Sequence, residues 1–448
     1  MGVIKMPRGG SRRGVGNFTA NADMRFDEAV LSEGTASRIY NFDVTSGALT
    51  DGYGLEVSPL FDGLKGTSAW RFTRYDYDAE EYKTCDMYCD ADGNVHYNYG
   101  DGWRELAGVK FTSPPAAVGY RLYGDDSVLM TSPTDKMCVW DGVGTARRVD
   151  DSPYITSMAM HYERMFATTT GESNAVYFSD DLDPTNWNDS DLTEGGYIRL
   201  LDERGRLLKV VDFLNYVYVF REYGISRLTA YAAQEDFSVV NLYVAGGRIY
   251  GGSVCACGDR VLLLASDGLH SFDGYSVTNK LKAVKFAPSP HASAVFSDGK
   301  YYLAACTGGG GENDTLIVYD LASGTFALSK LKIARLLSLS GEVFAVTADG
   351  RIGKVSKCGA LFGDPLVKVW ESGQLDFGTS AKKTVREITV VSDGSAQLTV
   401  TADGETRTFE IGGGLTRLKP TLVGRSITFR LRSAEPNARI VRLGYVLR

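Results

Sequence analysis

The sequence contains no long apolar run, and no stretch approaches the roughly 20 residues of a membrane-spanning helix. Residues 1–8, MGVIKMPR, have no apolar core of signal-peptide length. Histidine is scarce, with 4 in 448 residues, and none stands near a nucleophile motif such as Gly-x-Ser-x-Gly. Cysteine is odd in number, at 7, without the spacing of a disulfide framework. We therefore expect a soluble protein made in a reducing cytoplasm, with no hydrolase triad.

The cysteine pairs do not predict a metal site. Cys85 and Cys89 are four residues apart and Cys255 and Cys257 two apart, but neither pair has a histidine nearby. A structural zinc ion needs four ligands in a closed geometry. The sequence therefore favours small buried hydrophobic side chains at these positions, and no metal or cofactor.

Charge is low overall but unevenly distributed. The net charge of −7 argues against general coating of nucleic acid. Residues 1–13 carry four basic and no acidic side chains, and residues 364–448 carry 13 basic and nine acidic ones. The remaining middle of the chain therefore carries −7 − 4 − 4, or −15. The basic residues of the first segment are Lys5, Arg8, Arg12 and Arg13.

The composition is rich in turn and aromatic residues, with 51 Gly, 25 Tyr and 20 Phe. This is typical of an all-β protein. The most regular stretch runs from Tyr177 to Leu228 and ends in three short segments of alternating apolar residues, which predict successive strands. These predicted strands are Leu208–Val211, Tyr216–Phe220 and Ile225–Leu228.

A turn motif recurs roughly every 38 to 51 residues, close to the period of a four-stranded propeller blade. Several of the turns are Asp-Gly, in which glycine accepts a positive φ and aspartate bonds the neighbouring backbone. The repeat predicts a β-propeller of about seven blades. The turns expected between second and third strands are Asp92-Gly93, Ser132–Asp135, Gly171–Ser173, Glu222–Gly224, Asp267-Gly268, Gly308–Asp314 and Asp349-Gly350.

After about Asp364 the strands follow a different rhythm, which predicts a separate C-terminal β-sandwich. In its strand 426–432, Ile427, Phe429 and Leu431 alternate with Thr428, Arg430 and Arg432, so an apolar face opposes a basic one. The predicted division is a basic arm (1–16), an extended strap leading into the propeller (17–65), the propeller (66–363) and the sandwich (364–448).

Two motifs could suggest chemistry, and both favour a structural interpretation. Ser179–Trp187 resembles the Asp-box of glycan-active propellers, but Asp183 stands where that motif has glycine, and one extra residue precedes the tryptophan. The same loop offers five aspartates for Ca²⁺ but lacks the glycine and final glutamate of an EF-hand loop. Gly308–Gly311 lacks the Lys-Ser/Thr of a phosphate loop. These aspartates are Asp180, Asp181, Asp183, Asp189 and Asp191.

Together these features resemble the tail hub or nozzle proteins, also called tail-stabilisation proteins, of short-tailed bacteriophages. The resemblance implies a non-enzymatic virion protein, synthesised in the host cytoplasm, whose propeller assembles as a hexameric ring below the portal and its adaptor. There it extends the DNA channel and carries distal fibre or needle proteins. The residues that carry it are the pattern Leu31…Gly34…Ala36…Asn41…Asp43…Gly47-Ala48-Leu49…Gly54, the Tyr177–Trp187 loop, Phe220–Ile225, Asp267–Gly274 and the terminal sandwich.

The function predicted is thus a structural ring subunit through which DNA passes without specific binding. An acidic lumen wall would suit this task, because each neutralised phosphate adds affinity and friction. The alternatives are a receptor-binding propeller lectin that recognises host glycan and, third, a glycosidase on the same fold, which would need paired carboxylates. The side chains predicted to contact protein partners are Lys5, Arg8, Arg12, Arg13, Arg430 and Arg432.

Overall fold

The chain folds into β-strands, as its composition predicts. In the part that is described, two short 3₁₀ turns, Gln234–Asp236 and Gly251–Ser253, interrupt the strands and no α-helix occurs. That part accordingly offers no helix with the length and apolarity needed to cross a bilayer. The computed structural model describes residues 12–16, 18, 22–24, 31, 34–45, 47–188, 190, 193–231, 234–287 and 289–448.

Five strands precede the periodic part of the chain. The second, third and fourth are short because Asn41 and Gly47, both with positive φ, stand in the turns that separate them. The third pairs with the fourth, and all except the third pair with strands from much later in the sequence. The five are β1 (Arg12–Gly16), β2 (Ala36–Tyr40), β3 (Phe42–Thr45), β4 (Ala48–Asp51) and β5 (Gly54–Val57).

Seven consecutive sheets follow in the described residues, and we number them sheet 1 to sheet 7. Sheets 1 to 6 are each built from antiparallel strands that are neighbours in sequence, as hairpin connections require. Sheets 1 to 4 contain β6 (Gly66–Asp76), β7 (Glu81–Asp90), β8 (Asn94–Asn98) and β9 (Arg104–Lys110); β10 (Ala116–Leu122), β11 (Asp125–Thr131), β12 (Cys138–Trp140) and β13 (Arg147–Arg148); β14 (Ile155–His161), β15 (Arg164–Thr169), β16 (Ala175–Phe178) and β17 (Gly196–Arg199); and β18 (Leu207–Phe213), β19 (Tyr216–Arg221), β20 (Gly224–Thr229) and β21 (Ser238–Val244).

Sheet 7 differs from the others because its fourth strand is β5, from the start of the chain. Ser356 pairs with Gly54 and Gly353 with Val57, antiparallel. Sheets 5 to 7 contain β22 (Cys255–Ala256), β23 (Val261–Ala265), β24 (Gly268–Phe272) and β25 (Val277–Asn279); β26 (Ser293–Ser297), β27 (Lys300–Ala305), β28 (Thr315–Asp320) and β29 (Phe326–Ser329); and β30 (Ile333–Leu339), β31 (Glu342–Thr347), β32 (Ile352–Ser356), β33 (Ala360–Leu361) and β34 (Asp364–Pro365).

Apolar side chains fill the spaces between neighbouring sheets. Each sheet shares a buried cluster with the next, and sheet 7 shares one with sheet 1. In that last cluster the ring centroids of Phe61 and Phe344 are 5.7 Å apart. Arg71 of sheet 1 also donates a hydrogen bond to the Ser340 hydroxyl of sheet 7 at 3.1 Å. The first seven sheets thus form a propeller-like all-β body.

The turns predicted from the sequence connect the second and third strands of the seven sheets. Asp92-Gly93 joins β7 to β8, Glu222–Gly224 joins β19 to β20, and Asp349-Gly350 joins β31 to β32. Gly93 has a φ of +87°, the conformation for which glycine is suited. The turn positions are therefore encoded locally.

Two further sheets share one apolar core and form the C-terminal sandwich. The order is β3-β4-β42-β36-β39 in one, with β1 on β42 and β40 on β36, and β2-β35-β41-β37-β38 in the other. Ile427, Phe429 and Leu431 are buried in that core, as their alternation predicts. The strands are β35 (Lys368–Ser372), β36 (Lys383–Asp393), β37 (Ala396–Ala402), β38 (Glu405–Ile411), β39 (Gly414–Leu418), β40 (Leu422–Gly424), β41 (Ile427–Ser433) and β42 (Arg439–Leu447).

The predicted strap, residues 17–65, does more than lead into the propeller-like body. Its strand β2 pairs with β35, and β4 pairs with β42, so both sandwich sheets include strands from this segment. Its strand β5 joins sheet 7. The strap therefore connects the sandwich to the propeller-like body, which the sequence pattern does not indicate because the paired residues are about 300 or more positions apart.

Asn41 forms hydrogen bonds that connect the strap to both the propeller-like body and the sandwich. Its backbone N–H donates to Leu328 O of sheet 6 at 2.8 Å, and its side-chain oxygen accepts the Lys330 N–H at 2.8 Å. Its side-chain amide donates to Val367 O at 2.7 Å. Its φ of 61° lies in the left-handed region that asparagine tolerates. One buried polar residue thus links the strap, sheet 6 and the entry to β35.

A buried arginine, Arg221, holds the segment that precedes sheet 4 against strand β19. Arg221 is 0% exposed. Its guanidinium donates to Asp202 Oδ1 at 2.7 Å and to the carbonyl oxygen of Gly205 at 3.1 and 3.2 Å. Because the fork has several acceptors, its charge is compensated and the segment 200–205 is held against β19.

This pair predicts a loss of stability in acid. Burial alone would raise the pKa of Asp202, but hydrogen bonds from the Arg204 N–H and Arg221 lower it from 3.8 to about 2. Because the folded-state pKa is the lower one, the stabilisation is present above 3.8 and is lost as the pH falls towards 2. Asp202→Asn is expected to flatten the pH dependence of the unfolding free energy in this window, measured by urea denaturation.

The exposed carboxylate of Asp150 provides the matched control, since Asp150→Asn removes an acid that contacts only the exposed Arg148. Its pH profile should follow that of the unaltered protein. An unchanged profile for Asp202→Asn would contradict the expectation.

Candidate ligand site in the central cavity

A cavity of about 410 Å³ lies where the first strands of sheets 2 to 7 begin. Its walls come from the starts of β10, β14, β18, β26 and β30 and from the 3₁₀ turn that precedes β22. Because six sheets contribute, the cavity lies at the centre of the propeller-like body. Its polar lining includes Thr131, Thr156, Ser157, Ser293 and two basic residues, Lys209 and Arg335.

The two basic residues stand at equivalent places in sheets 4 and 7. A β-bulge interrupts the pairing of β18 between Leu207 and Lys209, and another interrupts β30 between Ile333 and Arg335. Bulges bend a strand and change the direction of the side chain that follows. The bulges explain why polar side chains line this cavity within strands that are otherwise apolar.

Arg335 is held by neighbours from other sheets. Its Nη1 donates to Ser68 Oγ at 2.9 Å and to Pro115 O at 3.1 Å. Ser68 in turn donates to Pro115 O at 2.7 Å. Burial lowers the pKa of the Arg335 guanidinium from its ordinary value. Its Nε and Nη2 have no hydrogen-bond partner within the described residues.

The Lys209 ammonium group has no hydrogen bond and no ion pair to any described residue. Burial lowers its pKa; the nearby Cys255 thiol opposes this shift and the positive charge of Arg335 adds to it. Both basic side chains are half-buried, so two positive charges without a carboxylate partner face the cavity. The cavity is therefore electropositive and can attract an anion.

The predicted partner-contact residues are distributed over other surfaces. Arg430 lies on β41 and is 3.8 Å from the Glu371 carboxylate, and Arg432 is exposed on the same strand. Arg12 and Arg13 lie in β1, which pairs with β42, and the structure describes their backbone only. Lys5 and Arg8 are outside the described residues. Among the described side chains of this set, Arg430 and Arg432 share a face of β41.

The Asp-box-like loop is a hydrogen-bonded turn. Asp180 N–H donates to Asn186 O at 2.8 Å, and the Asn186 side-chain amide donates back to the Asp180 carboxylate at 2.9 Å. Asp183 accepts from Thr185 and from the Tyr123 hydroxyl. Asp189 and Asp191 lie outside the described residues. Elsewhere in the chain, the described His, Cys, Asp and Glu side chains form no group of three suited to a metal ion.

Three of the four histidines contact aspartates rather than nucleophiles. His96 pairs with Asp90 at 2.9 Å, His161 with Asp212 at 2.8 Å and His270 with Asp267 at 2.9 Å. His291 lines the cavity instead. The histidines thus lie in different sheets, as the sequence predicts.

The cysteines are free throughout the described chain. Burial raises the pKa of the Cys85 thiol and that of the Cys89 thiol to about 11. Cys257 donates through its thiol to Cys255 O at 3.3 Å. Five of the seven thiols are buried, whereas Cys358 and Cys255 are half-buried, so the sequence prediction of a buried side chain is wrong at Cys255.

No family model and no curated protein matches this chain. Solved structures with some similarity include a computationally designed protein, Ika8, with 14% identity, a TM-score of 0.40, and coverage of 65% of this chain and 97% of that one. Another is BBS1N in complex with ARL6DN, with 10% identity, a TM-score of 0.41, and coverage of 69% and 95%. A third is the extracellular domain of a putative hybrid two-component system from B. thetaiotaomicron, with 12% identity, a TM-score of 0.44, and coverage of 83% and 47%. Similarities at this level carry no argument about function.

Proposed function

We propose that this chain is a structural subunit of a short bacteriophage tail, a ring-forming hub or nozzle protein that extends the DNA channel below the portal and adaptor. The sequence resemblance given above supports this proposal. So does the architecture of a propeller-like body joined to a β-sandwich. In this role the subunit is a virion component and acts by shape rather than by catalysis.

The propeller-like body is inferred to be a closed seven-bladed propeller, one blade per sheet. The apolar cluster between sheets 7 and 1, around Phe61 and Phe344, supports closure. The pairing of β5 with β32 also supports closure, because one blade then contains strands from before and after the other six sheets, which joins the two ends of the ring.

One observation carries the functional proposal: residues 36–57 contribute strands both to the sandwich and to the propeller-like body. A subunit that transmits load along a tail needs a fixed angle between its domains. Strands β2 to β4 belong to the sandwich and β5 to sheet 7, so the same short segment is committed to both. Such an arrangement suits a scaffold better than an enzyme that opens and closes.

The mass of the purified chain tests this function. Six copies of 48.7 kDa give a ring of about 290 kDa, and we expect this species by mass photometry at micromolar concentration, alone or after addition of the portal–adaptor complex. An obligate ring buries more than about 2,000 Å² per contact pair and should survive dilution. A stable trimer in both conditions would contradict the proposal.

A receptor-binding protein is the second candidate, favoured by tyrosines exposed at hairpin tips. Tyr77, Tyr123 and Tyr162 are exposed in the turns between first and second strands of sheets 1 to 3, and Tyr82 is exposed at the start of β7. Tyr77 donates a hydrogen bond to Gly124 O in the neighbouring turn at 3.3 Å. Exposed aromatic rings can stack on sugars. Binding of the isolated chain to a glycan array would favour this candidate.

A further inference from the structure

We propose that the central cavity is a binding site for a compact, doubly charged oxyanion, either orthophosphate or the phosphate group of a small ester, held between Lys209 and Arg335. Nothing in the ring-subunit function requires such a site. The ligand class follows from the charge, size and polar lining of the cavity.

Lys209 and Arg335 are half-buried and line the cavity without a carboxylate partner among the described residues. Three of the fully buried cations are paired: Arg221 contacts Asp202, Lys368 contacts Asp51, and Arg164 contacts Glu194. A fourth, Lys383, donates to two backbone carbonyl oxygens instead. The Lys209 ammonium group has neither kind of partner among the described residues, so an anion from outside the chain would supply its first charged acceptor.

Several N–H donors of Lys209 and Arg335 are unused within the described residues. An ammonium group carries three N–H donors and a guanidinium five. All three of Lys209, and those on Nε and Nη2 of Arg335, have no acceptor among the described residues. A phosphate oxygen is the acceptor that suits both, because charge-assisted hydrogen bonds to it are strong and arginine can bind it in a bidentate manner.

Residues from several sheets form the site in a related way. Lys209 follows a bulge in sheet 4 and Arg335 follows one in sheet 7, and Ser68 of sheet 1 orients the arginine by accepting its hydrogen bond. Sheets 1 and 3 carry corresponding bulges before Ser68 and Ser157. The Ser293 hydroxyl, which accepts the Leu336 N–H at 3.0 Å, supplies a further donor along the wall. A volume of about 410 Å³ accommodates phosphate with water, or a small phosphate ester.

The test compares the full chain with Lys209→Met in phosphate-free buffer and in orthophosphate or a sugar phosphate, at constant ionic strength. Binding is measured by isothermal titration and by the shift of the melting temperature. Lys354 provides the matched control, because it lies in sheet 7 like Arg335 but pairs with Glu342 at 2.5 Å. Removing one charge-assisted contact is expected to weaken binding about tenfold or more.

We expect the unaltered protein and Lys354→Met to bind the probe, and Lys209→Met to bind it at least about tenfold more weakly. Without phosphate, Lys209→Met should melt at about the same temperature, because the half-buried ammonium group that it removes has no ion pair to lose. Weaker binding at an unchanged melting temperature separates loss of the site from loss of the fold. Binding of the ester but not of orthophosphate would identify the ester as the ligand.

Two results would overturn the proposal. One is the absence of binding of both probes to the unaltered protein. The other is equal stabilisation of the unaltered protein and Lys209→Met, since phosphate salts also stabilise proteins generally by exclusion from their surface. Neither result bears on whether the subunits assemble as a ring, so the two proposals can fail separately.

Discussion

Replacement of Lys368 by methionine is expected to lower the free energy of unfolding by about 3–5 kcal/mol, because it leaves a buried carboxylate without its partner. Lys368 is 1% exposed and contacts Asp51, which is 9% exposed. The ammonium group also donates to Glu435 O at 2.6 Å, and Asp51 accepts the Asn437 N–H at 2.9 Å. The pair thus joins β4 of the strap to β35 and to the turn before β42. Chemical denaturation monitored by tryptophan fluorescence measures the change.

Lys357→Met is the matched control for this substitution. Lys357 also pairs with an aspartate of the strap, Asp43, but its side chain is 47% exposed. Exposed ion pairs contribute about 0–1 kcal/mol, so the control should lose little stability. The double variant Lys368→Met/Asp51→Asn should recover part of the loss, because the amide oxygen still accepts the Asn437 N–H without a charge. Equal losses for Lys368→Met and Lys357→Met would contradict the role of burial.

Gly93→Ala is expected to cost about 3 kcal/mol or more, from a strained backbone and a direct clash. Gly93 has a φ of +87°, and a Cβ there would lie 1.8 Å from Phe111 O. The backbone of Phe111 is also held against Gly93, because the Phe111 N–H donates to Gly93 O at 2.9 Å. Alanine must therefore push the β7–β8 turn away from Phe111, which follows the last strand of sheet 1. Thermal and urea unfolding report the loss.

Gly100→Ala separates the two causes. Gly100 lies in the same sheet with a φ of +102°, but a Cβ there meets nothing within 4 Å. It carries only the left-handed strain, about 1–2 kcal/mol. The difference between the two variants therefore reports the clash alone. If both variants lost the same amount, the close approach at Phe111 would not matter to stability.

The repeating part of this fold is predictable from the sequence because its signals are local. Asp-Gly and related turns mark the ends of hairpins by their own backbone preferences, and strand alternation marks the faces. Each signal is contained in a segment of about ten residues, so it does not depend on the rest of the chain. The turns at Asp92-Gly93 and Asp349-Gly350 and the apolar face of 427–431 illustrate this.

The partners of the strap could not be predicted in the same way. The pattern in 36–51 predicts extended chain with turns, but says nothing about which sheet receives it. Those pairings depend on complementary positions such as Asp51 and Lys368, more than 300 residues apart. A lysine at the start of a strand that also contains glutamate and serine, as in β35, carries no signal that it is buried against an aspartate of the amino-terminal segment.

The cavity cations escaped prediction for a related reason. Lys209 belongs to a strand that the sequence predicts, and simple alternation assigns it to one face of a sheet. The bulge that follows Leu207 breaks this alternation. Only the assembled sheets place Lys209 near Arg335, 126 residues later. A basic residue shortly after the start of a first strand in two repeats is the signal that could have been noticed.

The pairing of β5 with β32 has a consequence for how the protein is made. Gly54 leaves the ribosome about 300 residues before its partner Ser356. At about 5–20 residues per second, β5 waits about 15–60 s for the strand that completes its hydrogen bonds. During translation the growing chain therefore carries an unsatisfied backbone edge, and the four-residue length of β5 limits what that edge can capture. Sheet 7 is therefore completed only after the six sheets before it have been synthesised.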